Sequence, residues 1–505
     1  MAGVWRARQE TRREIEGFLS IGPVQVAELD LAAEGAQETE GPEQAEGARE
    51  ARRARKAELT RKAGDAREAG DAREAGDAQE AGDTQDAGGP GRARGAELRP
   101  GPGSAPVTSG TVFVLVRRAG LPIGTVLGQV PEGADPTEVL AGLARKLPGG
   151  EPREPLPRPP SASVVVATRE RADQLARALD SLLAQDHPDF EIVVVDNAPV
   201  TGETRELVER KYGERVRYVC EPVPGLAIAH NRGLAAVRGE VIAFTDDDVV
   251  ADPRWLTELT APFAADPRLG CATGLILPAR LRTPAQVLLE SHGGFAKGFT
   301  PRTYDPAEPP ADEPLFPFTA GRFGSGANMA FRTSVLRAAG GFDPATGAGT
   351  PARGGDDLYG FVRVLAQGQR LRYTPHALVW HHHRETWRDL ETQAYGYGAG
   401  LTAYLTAILV NRPALLPAFL VRLPGGLAHA RGLTAVRATA VRATAADGGA
   451  TDGTGPAVGV PGGHDSRTHP WPRRLSRLQR RGMLYGPVGY LRARRALRTV
   501  GLEAR

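Results

Sequence analysis

The chain has 505 residues, of which 63 are basic and 60 are acidic, so its formal net charge is only +3. This balance predicts no strong affinity of the whole chain for nucleic acid. The cysteines, Cys220 and Cys271, are too few for a disulfide framework or for a zinc site of their own, which favours a reducing, cytoplasmic setting.

The N-terminal part predicts a small α+β accessory domain with a long insert. Residues 23–31 and 111–118 have the apolar patterns of strands, and a helix is predicted over 136–146. Between them, residues 34–107 contain almost no large apolar side chain, and residues 63–86 repeat variants of the motif AGDARE. Such a segment cannot bury enough apolar surface to offset its ordering entropy, so we predict a disordered insert.

After a Pro-rich linker, the chain has the pattern of a doubly wound α/β domain. Apolar runs alternate with amphipathic helices, which is typical of parallel strands buried on both faces. The predicted strands are 163–168, 191–196, 216–220 and 239–245, and the predicted helices between them are 172–184 and 227–237. In such sheets, ligands bind at the carboxyl ends of the strands.

Those strand ends are polar. The fourth strand ends in the acidic triplet Asp246-Asp247-Asp248, whose carboxylates repel one another unless a cation or solvent screens them, and Mg²⁺ or Mn²⁺ prefers such oxygen ligands. An acidic turn or a cap of the next helix is the alternative. The first strand ends in Thr168-Arg169 without a Gly-rich turn, which disfavours a dinucleotide-binding oxidoreductase.

Two segments resemble the bacterial family 2 glycosyltransferases, inverting enzymes of the GT-A fold. They are VVVATRERADQLARALDSLLAQ with EIVVVDNAP, and PGLAIAHNRGLAAVRGEVIAFTDDD. The resemblance covers about residues 160–385 and implies a nucleotide-sugar donor and a DxD motif framed by Asp246 and Asp248. It implies that the donor is bound by Thr168, Arg169, Asp196, Arg232, Asp246 and Asp247. His230 departs from the family, which tends to carry arginine there.

A third segment, GSGANMAFRTSVLRAAGGFDPATGAGTPARGGDDLYGFVRVLAQGQ, resembles the acceptor half of these enzymes. Its acidic pair, Asp356 and Asp357, opens a predicted helix, and helix capping is the alternative role. The family places its catalytic base in such a pair, and inverting transfer needs a carboxylate that accepts the proton of the acceptor hydroxyl. We expect Asp357 to be the base, with Asp356 as its orienting partner or as the alternative base. The family often has a further carboxylate where this chain has Tyr359.

A histidine run, His381-His382-His383, follows the predicted strand 371–380. Consecutive residues of a strand point to opposite faces, so no more than two of the three converge easily, and one imidazole beside the triplet is more economical than a zinc site. By the resemblance, His381 is the first choice and His383 the second. We therefore expect Mn²⁺ or Mg²⁺ to be held by Asp248, Asp246 and His381.

The C-terminal part of the chain is predicted to be helical. Residues 401–420, interrupted at Asn411-Arg412-Pro413, predict a helical hairpin on the domain or in the membrane interface, and no window is apolar enough to span a membrane. Residues 435–470 predict a linker. Residues 473–498 carry nine arginines interleaved with leucines. That segment predicts a basic helix that lies on an anionic membrane surface, binds nucleic acid, or packs on the main domain as a solvated helix.

These patterns combine into one organisation and one function. The predicted regions are 1–33 and 108–150 (the two parts of the accessory domain), 34–107 (insert), 151–160 (linker), 161–390 (glycosyltransferase domain), 391–434 (apolar helical extension), 435–470 (flexible linker) and 471–505 (basic helix). We predict a cytoplasmic, metal-dependent, inverting glycosyltransferase at the inner face of the membrane, acting in cell-envelope polysaccharide synthesis on a lipid-linked or saccharide acceptor. No specific nucleic acid is expected. The alternatives are a non-catalytic nucleotide- or glycan-binding module on the same fold, and a nucleotidyltransferase, which would need an early Gly-rich phosphate loop.

Overall fold

The computed structural model describes residues 17, 19–31, 95–148, 155–292, 294–425, 471–499 and 501. Within these residues the chain forms two β-sheets and a set of helices that pack against them. Residues 32–94, which hold the repeat, and residues 426–470, which hold the second predicted linker, lie outside the described residues.

The accessory domain is a four-stranded sheet with one helix. Its strands are β1 (Gln25–Leu31), β2 (Ala96–Pro100), β3 (Gly110–Arg118) and β4 (Leu121–Val130), in the order β2-β1-β3-β4. Helix α1 (Pro136–Ala144) begins after Asp135, whose carboxylate accepts a hydrogen bond from the Thr137 amide at 2.8 Å. Leu140 of α1 is buried among the apolar side chains of β1 and β3. The predicted strands and helix of this region are therefore present, and β2 and β4 are additional strands.

The predicted bound of the insert, 34–107, is wrong at its C-terminal end. Strand β2 lies inside that range and pairs antiparallel with β1, from Ala27 opposite Pro100 to Leu31 opposite Ala96. Backbone pairing, with Leu98 packed at the edge of the core, orders a segment whose composition contains few large apolar residues.

The large sheet is mixed, and it confirms the predicted α/β fold. Its nine strands are β5 (Ala162–Thr168), β6 (Phe190–Asn197), β7 (Arg217–Glu221), β8 (Val241–Asp246), β9 (Val249–Ala251), β10 (Leu269–Pro278), β11 (Arg302–Tyr304), β12 (Asn328–Arg332) and β13 (Arg370–His381). The order is β11-β13-β10-β12-β8-β5-β6-β7, and β9 pairs with β13. Strands β8, β5, β6 and β7 run parallel, whereas β12 runs antiparallel to both of its neighbours.

Helices cover both faces of the parallel strands, as the apolar runs predict. The helices of this region are α2 (Ala172–Leu182), α3 (Glu203–Leu207), α4 (Leu226–Ala236), α5 (Trp255–Thr260), α6 (Pro262–Ala265), α7 (Pro284–Ser291), α8 (Thr333–Ala338), α9 (Asp356–Ala366), α10 (Trp387–Asn411) and α11 (Arg473–Thr499). Val164 packs with Leu175 and Leu179 of α2, and Val165 packs with α4 on the other face. Gly233 lets α4 approach closely, because a Cβ there would lie 2.5 Å from Val165 Cγ1.

The two C-terminal helices belong to the core of the main domain. Ala403 and Tyr404 of α10 and Tyr490 of α11 are buried in the same cluster as Phe244 and Phe331 of the large sheet. Among the described residues, no single helix is long and apolar enough to cross a bilayer. Trp387–Asn411 and Pro413–Gly425 reach that size only as a pair, and they meet at a bend of 109°.

Candidate active site

Polar residues end three neighbouring parallel strands at one edge of the large sheet. Thr168 of β5 lies opposite Asp196 of β6, and the preceding residue of β5 lies opposite Asp246 of β8. Asp196 is buried, and its Oδ2 atom accepts a hydrogen bond from the Tyr218 hydroxyl at 2.9 Å. Its Oδ1 atom has no protein partner, and burial raises the pKa of this carboxyl. The structure thus brings Thr168, Asp196 and the acidic triplet together.

The middle carboxylate of the triplet is held by protein donors. The Thr168 hydroxyl donates to Asp247 Oδ2 at 2.7 Å, and Arg171 Nη1 donates to Asp247 Oδ1 at 3.0 Å. Burial raises the pKa of Asp247, although Arg171 opposes the shift. Sequence reasoning missed Arg171, which directly precedes α2 and is positioned by the same turn that follows β5. Asp247 therefore fixes the strand-end loop.

The outer carboxylates meet one imidazole. His381 Nε2 lies 3.2 Å from Asp248 Oδ1 and 4.0 Å from Asp246 Oδ2. One ligand atom from each of Asp246, Asp248 and His381 lies within 4.8 Å of the others. Pairing of β13 with β9 sets this contact, because it places His381 opposite Val249, directly after the triplet. Two carboxylates and an imidazole are a donor set that could hold a divalent metal ion.

The pKa values of the two clustered carboxyls, Asp246 and Asp248, shift in opposite directions. Burial and the neighbouring Asp248 raise the pKa of Asp246 to about 7, although its side chain is 37% exposed and water moderates the shift. Burial alone would raise the pKa of Asp248, but His381 and Arg384 hold it well below its usual range. Burial alone would lower the pKa of His381, but Asp248 reverses the effect and raises it. Without a cation, the pair of carboxylates takes its first proton on Asp246.

Behind His381 lies a buried chain of hydrogen-bonding groups. His381 Nδ1 lies 3.2 Å from His383 Nδ1, and His383 Nε2 lies 3.1 Å from Glu290 Oε2 of α7. The Gln286 amide donates to the His383 carbonyl at 3.1 Å. A carboxylate accepts hydrogen bonds, so Glu290 favours a proton on His383 Nε2, and His383 Nδ1 then accepts from His381 Nδ1. This arrangement would leave the lone pair of His381 Nε2 available to a cation in the cluster, whereas without a cation Nε2 carries a proton toward Asp248.

His383 is therefore placed behind the candidate ligands and not among them. Its two ring nitrogens face His381 and Glu290, and it is not one of the three clustered ligand groups. The second choice of the sequence analysis was wrong on this geometry. Glu290 was missed because nothing in the local pattern of α7 links it to a histidine 93 residues later.

The acidic pair at the start of α9 divides into a buried and a half-buried member. Asp356 is 4% exposed, and its Oδ2 atom lies 3.2 Å from Nδ1 of the buried His230. The His230 ring packs between Phe244 and Phe342, with centroids 4.8 and 5.2 Å away. The unusual His230 thus packs beside Asp356 within the core. Asp356 is directed away from solvent.

Asp357 is half-buried, and both of its carboxylate oxygens accept backbone hydrogen bonds. The Gly326 amide donates to Asp357 Oδ2 at 2.9 Å, and the Leu358 amide donates to Oδ1 at 2.8 Å. Burial and Asp356 raise the pKa of Asp357 to about 6. Tyr397 of α10 interacts electrostatically with Asp357, and its ring lies 6.5 Å from that of Phe295, which lies 5.2 Å from the ring of His381.

Three further sequence-predicted residues take other positions. Tyr359 is buried, and its hydroxyl accepts from Arg363 Nη1 at 2.7 Å, so it faces the core and not the pocket. Arg169 and Arg232 are exposed, and within the described ranges neither forms a hydrogen bond or ion pair with the triplet. Arg171 and Arg384 are the arginines that approach it.

Comparisons with known proteins point to one family. Residues 163–337 match the model described as glycosyl transferase family 2. Over 269 residues the chain is 29% identical to a pre-mycofactocin glycosyltransferase of Mycobacterium tuberculosis, which covers 52% of this chain and 52% of that protein. It is 25% identical over 237 residues to a glucosyl-dolichyl phosphate glucuronosyltransferase of Haloferax volcanii, covering 43% and 68%. The match thus spans about half the length of the mycobacterial relative.

A solved structure is also similar. It is the mannosyltransferase PcManGT from Pyrobaculum calidifontis in complex with GDP-Man and Mn²⁺, with 20% identity and a TM-score of 0.39. The similarity covers 67% of this chain and 91% of that chain.

Proposed function

We propose, from the match of residues 163–337 to glycosyl transferase family 2, that this chain transfers a sugar from a nucleotide-diphosphate sugar to an acceptor hydroxyl, with inversion at the anomeric carbon. The single observation that carries the proposal is the cluster of Asp246, Asp248 and His381 at the carboxyl edge of the parallel strands.

The donor would lie along this edge. Asp196 Oδ1, buried and without a protein partner, is an acceptor for an N–H group of the nucleotide base. Asp246, Asp248 and His381 would hold Mn²⁺ or Mg²⁺, which supplies Lewis-acid stabilisation of the departing diphosphate. Because the Asp246 side chain is 37% exposed, the donor would approach the cluster from its side.

Asp357 is the proposed general base. Its carboxylate oxygens each accept one backbone hydrogen bond and retain lone pairs for the acceptor hydroxyl. It would take the hydroxyl proton while the oxygen attacks the anomeric carbon on the face opposite the leaving diphosphate. Burial beside Asp356 brings its pKa close to the pH at which a carboxylate base works well. Asp356, held against His230, would position it.

The acceptor is proposed to be lipid-linked or a saccharide, presented at the cytoplasmic face of an anionic membrane. One relative, the glucosyl-dolichyl phosphate glucuronosyltransferase of Haloferax volcanii, is named for a lipid-linked saccharide, which supports this class. Lys297 is exposed and interacts electrostatically with Asp357, so it would be a donor for acceptor oxygens.

Calorimetric titration with UDP-, GDP- and dTDP-sugars, with and without Mn²⁺, tests the donor site. The wild-type protein is expected to bind one of these nucleotides in an Mn²⁺-dependent manner, and Asp248→Asn is expected to abolish the metal dependence. Asp180→Asn is the matched control. Asp180 lies on α2, and its exposed carboxylate pairs with Lys211 and not with the triplet. If no nucleotide sugar binds under any condition, the donor-site proposal is wrong. Nucleotide binding without turnover on any acceptor would favour a binding module.

A further inference from the structure

Helix α11 has two faces of opposite character. Its 27 residues include nine arginines and no Asp, Glu or Lys. One face carries Gly482, Gly486 and Gly489, where an added Cβ would overlap backbone or side-chain atoms of α10 and of Pro351. This close packing fixes the rotation of α11 about its axis. The opposite face is therefore fixed toward solvent.

Three aliphatic side chains lie exposed on that opposite face. Leu484 is 82% exposed, Val488 47% and Leu491 48%. At about 100° per residue, positions 484, 488 and 491 fall within a sector of about 60° on the helix. A contiguous apolar stripe on a helix whose other side is fully packed marks an interaction surface.

Arginines surround the stripe. Arg480 and Arg481 lie one turn before Leu484, and Arg495 lies one turn after Leu491. All three arginines are exposed, and by the same 100° spacing they fall within about 100° of one another and on the side of the stripe. We define the α11 outer face as Leu484, Val488, Leu491, Arg480, Arg481 and Arg495.

We propose that the α11 outer face docks the protein in the headgroup region of an anionic lipid bilayer. The aliphatic stripe would enter the boundary between headgroups and acyl chains, and the arginines would pair with lipid phosphates while their stems lie along apolar surface. A helix without any carboxylate presents no repulsion to an anionic surface.

Two other occupants fit less well. Nucleic acid is favoured by aromatic stacking, but Tyr490 is buried and Tyr485 is half-buried with its ring 6.0 Å from that of Tyr395. A second copy of the chain would bring arginines against arginines across a two-fold axis, which costs free energy. An anionic bilayer satisfies both the stripe and the charge.

Docking would also orient the candidate active site. Helix α11 packs on α10. The Tyr397 ring of α10 lies 6.5 Å from that of Phe295, which lies 5.2 Å from the ring of His381 in the candidate metal cluster. A membrane held against α11 would therefore stand in a fixed relation to that cluster. A lipid-linked acceptor is consistent with this geometry, and this last step alone rests on the proposed function.

The test is vesicle binding by the full chain. Partition is measured by co-sedimentation with vesicles of pure phosphatidylcholine and with vesicles in which phosphatidylcholine is mixed with anionic phosphatidylglycerol. One variant carries Leu484→Ser, Val488→Ser and Leu491→Ser, and a second carries Arg480→Glu, Arg481→Glu and Arg495→Glu. The control carries Arg145→Glu, Arg210→Glu and Arg215→Glu, which make the same charge change at exposed positions elsewhere.

We expect the wild type and the control to bind the anionic vesicles and to release them at high salt. Each α11 variant should bind at least about tenfold more weakly while keeping the melting temperature of the wild type. The proposal is overturned if the wild type does not bind anionic vesicles, or if either α11 variant binds them as well as the control does. It is also overturned if a second copy of the chain or an RNA covers the α11 outer face. That outcome would be seen as dimerisation or RNA binding that the same variants abolish. Donor binding is measured separately in all variants, so failure here leaves the donor site untouched.

Discussion

Replacement of Glu290 by glutamine perturbs the candidate metal site without touching any candidate ligand. In the structure, Glu290 Oε2 lies 3.1 Å from His383 Nε2, and the ring of His383 contacts that of His381. Glutamine keeps the size of the side chain but offers either a weaker acceptor or an amide donor. If the amide donates, both imidazoles reverse their tautomers and a proton occupies His381 Nε2, where the metal would bind.

The magnitude follows from the position of Glu290 behind the ligand. Outer groups that orient a metal-bound histidine typically contribute about 10- to 100-fold to metal affinity, or roughly 1.4 to 2.8 kcal/mol. Glu290 is 4% exposed, so water cannot readily replace its hydrogen bond, and we expect the Mn²⁺ dissociation constant to rise by about 30-fold. His383→Ala should produce a similar loss, and the double variant should add little to either, because both act through one chain of contacts.

The assay is a titration of Mn²⁺ in which free ion is followed by electron paramagnetic resonance at neutral pH. Glu313→Gln is the control, because Glu313 is also buried and charged but pairs with Arg322 at 3.1 Å. If Glu290→Gln binds Mn²⁺ within twofold of the wild type while its fold is intact, the assigned tautomers are wrong. If Glu313→Gln weakens Mn²⁺ equally, the effect is a general loss of packing.

Three further predictions concern the base and the scaffold. At saturating Mn²⁺, kcat/KM should fall tenfold per pH unit below about 6, because the raised pKa of Asp357 leaves the base protonated in acid; a rate independent of pH between 4 and 6 would contradict this. Gly486→Ala should lower the free energy of unfolding by about 1–3 kcal/mol in urea, since its Cβ overlaps Thr402 Oγ1, and an unchanged midpoint would refute the close packing. Arg117→Ala should lower the free energy of unfolding by about 3 kcal/mol, because Asp252 loses the guanidinium that lies 2.6 Å away in an ion pair of which the Arg117 side chain is only 10% exposed. A decrease under about 0.5 kcal/mol would show that the pair is solvated.

The central sheet could be predicted from the sequence because its signal is local. Strands β5, β6 and β8 are continuous apolar runs, and each has a polar residue where it ends. Parallel pairing then requires those ends to meet, so the neighbourhood of Thr168, Asp196 and Asp246 follows from the pattern alone. The role of Asp357 as base came from a family resemblance and remains a prediction.

Other parts of the site depend on contacts between distant segments. Nothing near β12 indicates that it inserts antiparallel between β8 and β10, since only the pairing partners decide its direction. The contact of Glu290 with His383 joins α7 to the end of β13 in the same way. The glycines of α11 resemble helix breakers in sequence, and their reason becomes visible only against the backbone of α10.

The most direct test of the account is cleavage of the donor sugar that binds, measured with Mn²⁺ for the wild type and for Asp357→Asn at equal donor occupancy. The asparagine keeps the size of the side chain, and its single oxygen can accept one of the two backbone hydrogen bonds that Gly326 and Leu358 donate to Asp357, but it cannot take a proton. The account predicts donor affinity within about threefold of the wild type and a turnover at least about 100-fold lower, the scale of general base catalysis. Turnover close to that of the wild type in Asp357→Asn would contradict the central claim.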